Sequence, residues 1–220
     1  MKMIASYAYS SGARGLICLA LLGLSACSSL QPPTRPLVYD FGPGATTPQP
    51  ANRMAPLPPL ALAGVQATGA LDSTAVLYRL AYSDAQQLRP YAQARWSMPP
   101  AELLRQRLRE HLGQHRAVLN PADGVLAMGP VLTLRVDLDE FSQLFATDQQ
   151  STGLLRLRAT LGQPGARGEK LVAQRSFVVQ RASASPDAAG GVRALTEAAD
   201  AAIEDIEQWV QQTAQAAPGG

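Results

Sequence analysis

Two periodicities divide the chain. Leu132, Leu134, Val136 and Leu138 alternate with Thr133, Arg135, Asp137 and Asp139, and Leu155, Leu157, Ala159 and Leu161 alternate with Arg156, Arg158 and Thr160. A period of two with one apolar set describes half-buried antiparallel strands. The glycine-rich stretch from Gln163 to Gly168 reads as a turn into a third strand, Lys170 to Arg181, so the last two strands form a hairpin. Beyond Ser185-Pro186-Asp187, a helix start, the period changes. Val192, Leu195, Ala199, Ala202, Ile203, Ile206, Trp209 and Val210 recur at steps of three and four, with Glu197, Asp200, Glu204, Asp205 and Glu207 between them. That is a long amphipathic helix whose alanine-rich face can approach a sheet closely. A shorter helix follows Met98-Pro99-Pro100, with Leu103, Leu104, Leu108 and Leu112 on one side and Arg105, Gln106, Arg109 and Glu110 largely opposite, ending near Gly113.

Upstream, Leu37 to Phe41, Leu60 to Val65 and Ala75 to Ala81 read as shorter strands, the last two separated by a turn region at Gly69 to Ser73. Gly42 to Pro59 is dense in Pro, Gly and Thr and reads as a long loop, Tyr91 to Trp96 as a second loop, and Asn120 to Gly124 as a turn. The order strands, helix, strands, helix predicts an α+β fold. It is a single domain over 37–212, with two main helices packed on an antiparallel-rich mixed sheet. Residues 213–220 are expected to be a flexible tail.

The N-terminal residues follow a different logic. Lys2 and Arg14 precede the apolar run Leu16 to Leu22, and Leu24-Ser25-Ala26-Cys27 closes it. A basic start, a short apolar run and small residues make a secretory signal, here 1–26. The run is shorter than the ~20 apolar residues of a membrane span. Leu24 to Cys27 resembles the lipobox of bacterial lipoproteins, which implies acylation of Cys27, and several acyl chains anchor stably where one does not. Residues 27–36 then form a lipidated, proline-rich tether. Ser28 stands where enterobacterial lipoproteins retained at the inner membrane carry Asp, which implies the outer membrane.

Composition narrows the chemistry further. The net charge of +2 includes Lys2 and Arg14, and no acidic residue lies in 1–26, so the processed chain is neutral. A neutral chain has no electrostatic footprint for nucleic acid. Of the two cysteines, Cys18 leaves with the signal and Cys27 is the acylation site, so no thiol remains for a disulfide, a metal cluster or a nucleophile.

An ordered set of segments resembles the ABC-type transport auxiliary lipoprotein family. It comprises Tyr78-Arg79-Leu80-Ala81-Tyr82, Leu88, Tyr91, Arg95-Trp96, Pro99-Pro100, Leu103-Leu104, Leu134 to Phe141, Leu155 to Ala159, Ala173 to Phe177 and Trp209. The resemblance spans essentially the mature chain. It implies a non-catalytic component on the periplasmic face of the outer membrane. Such a component accompanies an MCE-domain protein and an ABC permease and ATPase that move lipids or other hydrophobic compounds. No cofactor is implied, and self-association into a homo-oligomer stays open. The sequence carries no GxxxxGK[ST] loop.

Three groups of residues offer candidate chemistry. His111 and His115 sit four apart on a helix, a metal-binding spacing, but Leu112 stands where a zinc protease carries its Glu; two surface histidines are the simpler reading. Asp137, Asp139 and Glu140 form a carboxylate cluster that an exposed strand face already explains. Tyr91, Arg95 and Trp96 are the candidate partner-binding residues, because Tyr, Trp and Arg are enriched at interface hot spots. No catalytic set and no metal site is expected. A carrier holding lipid in a helix–sheet cleft is the main alternative to a docking module; an envelope hydrolase and a purely structural lipoprotein rank below it.

The acylation reading predicts that cells fed labelled palmitate mark the wild-type chain and that Cys27→Ser abolishes the label; an unmarked wild-type chain contradicts it.

Overall fold

The computed structural model describes residues 35–44, 57–67, 69–121, 131–165 and 168–216. The signal segment, Cys27, nearly all of the tether and most of the Gly42 to Pro59 loop lie outside these residues. The described residues from Pro36 onward belong to one compact unit, Pro36–Gly220. In order it runs β1 (Leu37–Tyr39), β2 (Leu60–Ala67), a 3-10 turn (Gly69–Asp72), β3 (Ala75–Leu80), a single helical turn α1 (Ala81–Asp84) and β4 (Ala85–Trp96). Then follow α2 (Pro100–Gly113), β5 (Val118–Leu119), β6 (Leu132–Phe145), β7 (Ser151–Gly165), β8 (Gly168–Ala182) and α3 (Ala188–Ala216). The α+β expectation holds: helices pack on one mixed, eight-stranded sheet.

β6 organises that sheet. Along one edge it pairs antiparallel with β7, from Thr133 opposite Gly162 to Phe145 opposite Ser151. Its other edge is shared. The first half pairs parallel with β2, from Leu60–Leu132 to Ala67–Leu138, and the end pairs parallel with β3, from Tyr78–Gln143 to Leu80–Phe145. The long β6–β7 and β7–β8 ladders are antiparallel, and the shorter parallel pairings add β1 to β4 and β5 to β2.

Alternation on β6 predicts that Leu132, Leu134, Val136 and Leu138 share one face; the last three are buried, Leu132 is half-buried, and Thr133 from the other face is buried too. Asp139 then has no residue opposite it, so the ladder carries a bulge between Leu138 and Glu140. An extra residue shifts the phase of a period-two pattern. Past the bulge the residues facing the helices become Phe141, Gln143 and Phe145. Rows of side chains cross the sheet accordingly: Leu134–Leu161–Ala173, Leu138–Leu157–Phe177 and Phe141–Leu155–Val179. α3 lies over β6, β7 and β8, while α2 covers β2 and touches α3.

The alanine stripe of α3 sets how closely it sits. Ala194, Ala198, Ala199 and Ala202 are fully buried beside Leu195, Ile203 and Ile206. Gly153 on β7 is part of the same fit, since a Cβ there would lie 2.6 Å from the backbone of Ala194 and Leu195. The carboxylates separate in the same way. Asp137 and Asp139 are exposed, as expected, but Glu140 is buried and takes a two-pronged ion pair from Arg79 of β3, with Arg79 Nη2 2.9 Å from Glu140 Oε2. Arg79 also donates to the carbonyls of Ala85 and Gln86, pinning the β3–β4 turn onto β6. At the C-terminus α3 continues through Ala216, so residues 213–216 are helical rather than part of a flexible tail.

Asp187 caps α3. Its Oδ1 accepts the Gly190 N–H at 2.7 Å and the Ser185 hydroxyl at 2.8 Å. The Gly190 bond, then that of Ser185, hold its carboxyl below the ordinary carboxylate range. A depressed folded-state pKa means that this stabilisation is present above the unfolded pKa and is lost as pH falls through the folded one. Asp187→Ala should therefore cost about 1 kcal/mol in urea unfolding at pH 7. Asp187→Asn should keep most of the cap, and its deficit against wild type should shrink toward acid pH.

Candidate functional site

The three residues expected to meet a partner lie on β4, not in a loop. Tyr91 to Trp96 continues a strand that starts at Ala85, held by β3 on one side and β1 on the other. The polar composition and Pro90 disguised it, and the β3–β4 register shifts between Ala75 and Leu77.

The strand sends its side chains to different places. Trp96 is 2% exposed. Its ring meets Phe41 edge-on at 5.6 Å and Phe141 at 5.6 Å, tying the end of β4 to β6. It is a core residue, and its indole offers no surface to a partner. Tyr91 is half-buried, its ring 4.6 Å from that of Tyr78. Its hydroxyl donates to Gln143 Oε1 at 2.7 Å, and Gln143 Nε2 donates onward to Ser151 Oγ at 2.8 Å. Burial, with smaller contributions from Tyr78 and Asp187, pushes the Tyr91 pKa well up, so the phenol stays a donor. Arg95 is half-buried and donates to the carbonyls of Tyr91 and Ala94, which stiffens the strand.

What lies beside these residues is an open edge. β1 pairs with β4 and, among the described residues, with no other strand. Val38 stands in register with Arg95. Leu37 and Val38 are 63% and 65% exposed, high for large apolar side chains. An edge strand presents unpaired N–H and C=O groups that invite another chain.

The histidines do something the sequence did not reveal. His111 Nε2 and His115 Nδ1 approach the two oxygens of Glu207 on α3 at 2.7 and 3.0 Å. A carboxylate only accepts, so each of these nitrogens donates. Glu207 is 5% exposed and also accepts from Gln211 Nε2 at 3.3 Å. The two rings are thus the rim of a buried carboxylate that joins α2 to α3. Their i, i+4 spacing was visible; the acceptor on a distant helix was not. Among the described residues no three His, Cys, Asp or Glu side chains form a group able to hold a metal ion. No helix among them is long and apolar enough to cross a membrane.

Comparison with known proteins follows the same outline. A family model described as an ABC-type transport auxiliary lipoprotein component matches residues 39–207. A solved structure from Xanthomonas campestris is similar at 22% identity and a TM-score of 0.65, over 81% of this chain and 97% of that one. A second solved structure, of an uncharacterized protein, is similar at 14% identity and a TM-score of 0.58, over 80% and 99%. At these identities the likeness is one of fold. No curated protein matches the chain.

The placement of β4 separates packing from contact. Trp96→Ala should lose about 3–5 kcal/mol in denaturant unfolding, whereas Arg95→Ala, at a half-exposed position, should cost about 1 kcal/mol or less.

Proposed function

The chain belongs to the ABC-type transport auxiliary lipoprotein family, and from that membership we propose that it acts as a docking lipoprotein held at the periplasmic face of the outer membrane. Its partner in this reading is an MCE-domain protein, and through it an ABC permease and ATPase that move lipids or other hydrophobic compounds. Its work is binding and positioning, and no bond is made or broken.

The observation that carries the reading is the place of the exposed pair Leu37–Val38. Among the described residues they sit on an open strand edge, just after the proposed tether in the sequence. A strand there can pair with a partner's edge through backbone hydrogen bonds, while the side chains beside it supply selectivity. Val38 and Arg95 share a register position, and Tyr91 lies further along the same strand. Trp96 supports this edge from beneath, so its contribution to docking is through rigidity. Acylation at Cys27 would tie the chain to the membrane.

In membranes carrying the lipidated chain, an MCE-domain protein of the same cell should co-purify with it. Introducing Val38→Glu with Arg95→Glu should lower the recovered partner at least ~10-fold, the scale of a few lost hot-spot contacts, with the unfolding midpoint little changed. Absence of co-purification, together with unaltered envelope lipid handling in a deletion strain, contradicts the proposal.

A further inference from the structure

A cavity of about 390 Å³ opens where the start of β2, the start of β6 and the last turns of α3 come together. Its walls are mostly apolar, with Pro58, Leu60, Val131, Leu132 and Ala214 among them. Pockets of this size and lining are typical of small-ligand sites, in which a few polar groups fix the ligand.

One of those polar groups is unusual. Arg116, just beyond α2, lines the cavity and is 4% exposed. Among the described residues its Nε and Nη2 have no hydrogen-bond partner. Glu207 is near enough to favour its charge but accepts from His111, His115 and Gln211 instead. Desolvation is the larger influence and pulls the guanidinium's pKa down. A buried cation without a hydrogen-bonded partner is costly. A guanidinium is suited to two-pronged recognition of a carboxylate or phosphate.

From this juxtaposition we propose that the cavity binds an anionic amphiphile. Its carboxylate or phosphate meets Arg116, and its hydrocarbon lies against Leu60, Val131, Leu132 and Ala214. Gln211, on the cavity wall and bonded to Glu207, is placed to assist the headgroup. A free fatty acid and a phospholipid share this chemistry. The site lies on the β2 side of β6, away from the β1–β4 edge, and does not depend on the docking role.

The test uses the lipidated full chain in phosphatidylcholine nanodiscs with a diazirine analogue of oleate, and in a parallel arm a diazirine analogue of phosphatidic acid. Crosslinks mapped by mass spectrometry should fall on peptides containing Leu132 or Ala214 in at least one arm, and the arm that labels identifies the source. Unlabelled oleate or phosphatidic acid should compete at least tenfold better than oleamide, which has the same chain length without the charge. Arg116→Gln should cut labelling at least tenfold. Because that variant could also disturb folding, the competition series on wild-type protein decides independently. Labelling elsewhere, no labelling in either arm, or equal competition by oleamide overturns the proposal. Competition by inorganic phosphate alone also overturns it, by revealing a simple anion site. Docking can fail with this site intact, and the site can be absent with docking intact.

Discussion

The structure depends on one strand, β6, being paired along both of its edges over most of its length. β6 pairs with β7 from Thr133 to Phe145 except at the bulged Asp139, and its other side is divided between β2, up to Leu138, and β3, from Gln143. Backbone donors and acceptors buried away from water must be paired, and two partners can share one edge only if they occupy different stretches of it. The bulge at Asp139 lies in that gap, after the last β2 pair at Leu138 and before the first β3 pair at Gln143. Glu140 and Arg79 close the same junction with a largely buried ion pair, and Ser142 donates to Glu140 at 2.6 Å. Removing either partner of such a pair would strand the other, which makes the junction intolerant of single changes.

Both proposed binding features hang from this strand, at opposite ends. The start of β6 and its neighbour β2 supply Leu132 and Leu60 to the cavity of Arg116. The far half carries β3, then β4, then the open edge β1. α3 spans the helix side, from its cap at Asp187 near the Tyr91 hydroxyl to the residues around Glu207 and Gln211. In the proposed docking role such an arrangement helps, because the relative position of the contact surfaces is set by continuous sheet rather than by loops.

How much of this could be read from residues alone varied with the kind of information needed. Strict alternation in Leu132 to Leu138 and Leu155 to Leu161, and the three-to-four spacing from Val192 to Val210, report local geometry directly, and the elements are there. The phase change at Asp139 was not legible, because alternation of residue types cannot show that a residue lacks a partner across the ladder. β4 was missed because Ala, Gln, Arg and Pro90 give it a polar, loop-like composition; its strand character comes from being held between β1 and β3. Of the candidate contact residues, Tyr91 and Arg95 are half-buried and Trp96 belongs to the core. Glu207 sits among the acidic residues assigned to the polar side of α3, yet α2 covers it and supplies two histidines. Arg116 carried no pattern at all, since its isolation is a property of the packed structure.

Native-state hydrogen exchange of the β6 amides tests most directly whether both ends of the molecule belong to one body. If they do, Leu134, Val136 and Leu138 exchange with the same opening free energy as Phe141, Gln143 and Phe145, and all of them track global unfolding as urea is added. If either half opens separately, with an exchange rate an order of magnitude or more faster and independent of urea, the sheet is two loosely joined pieces. The structural account given for β6 is then wrong.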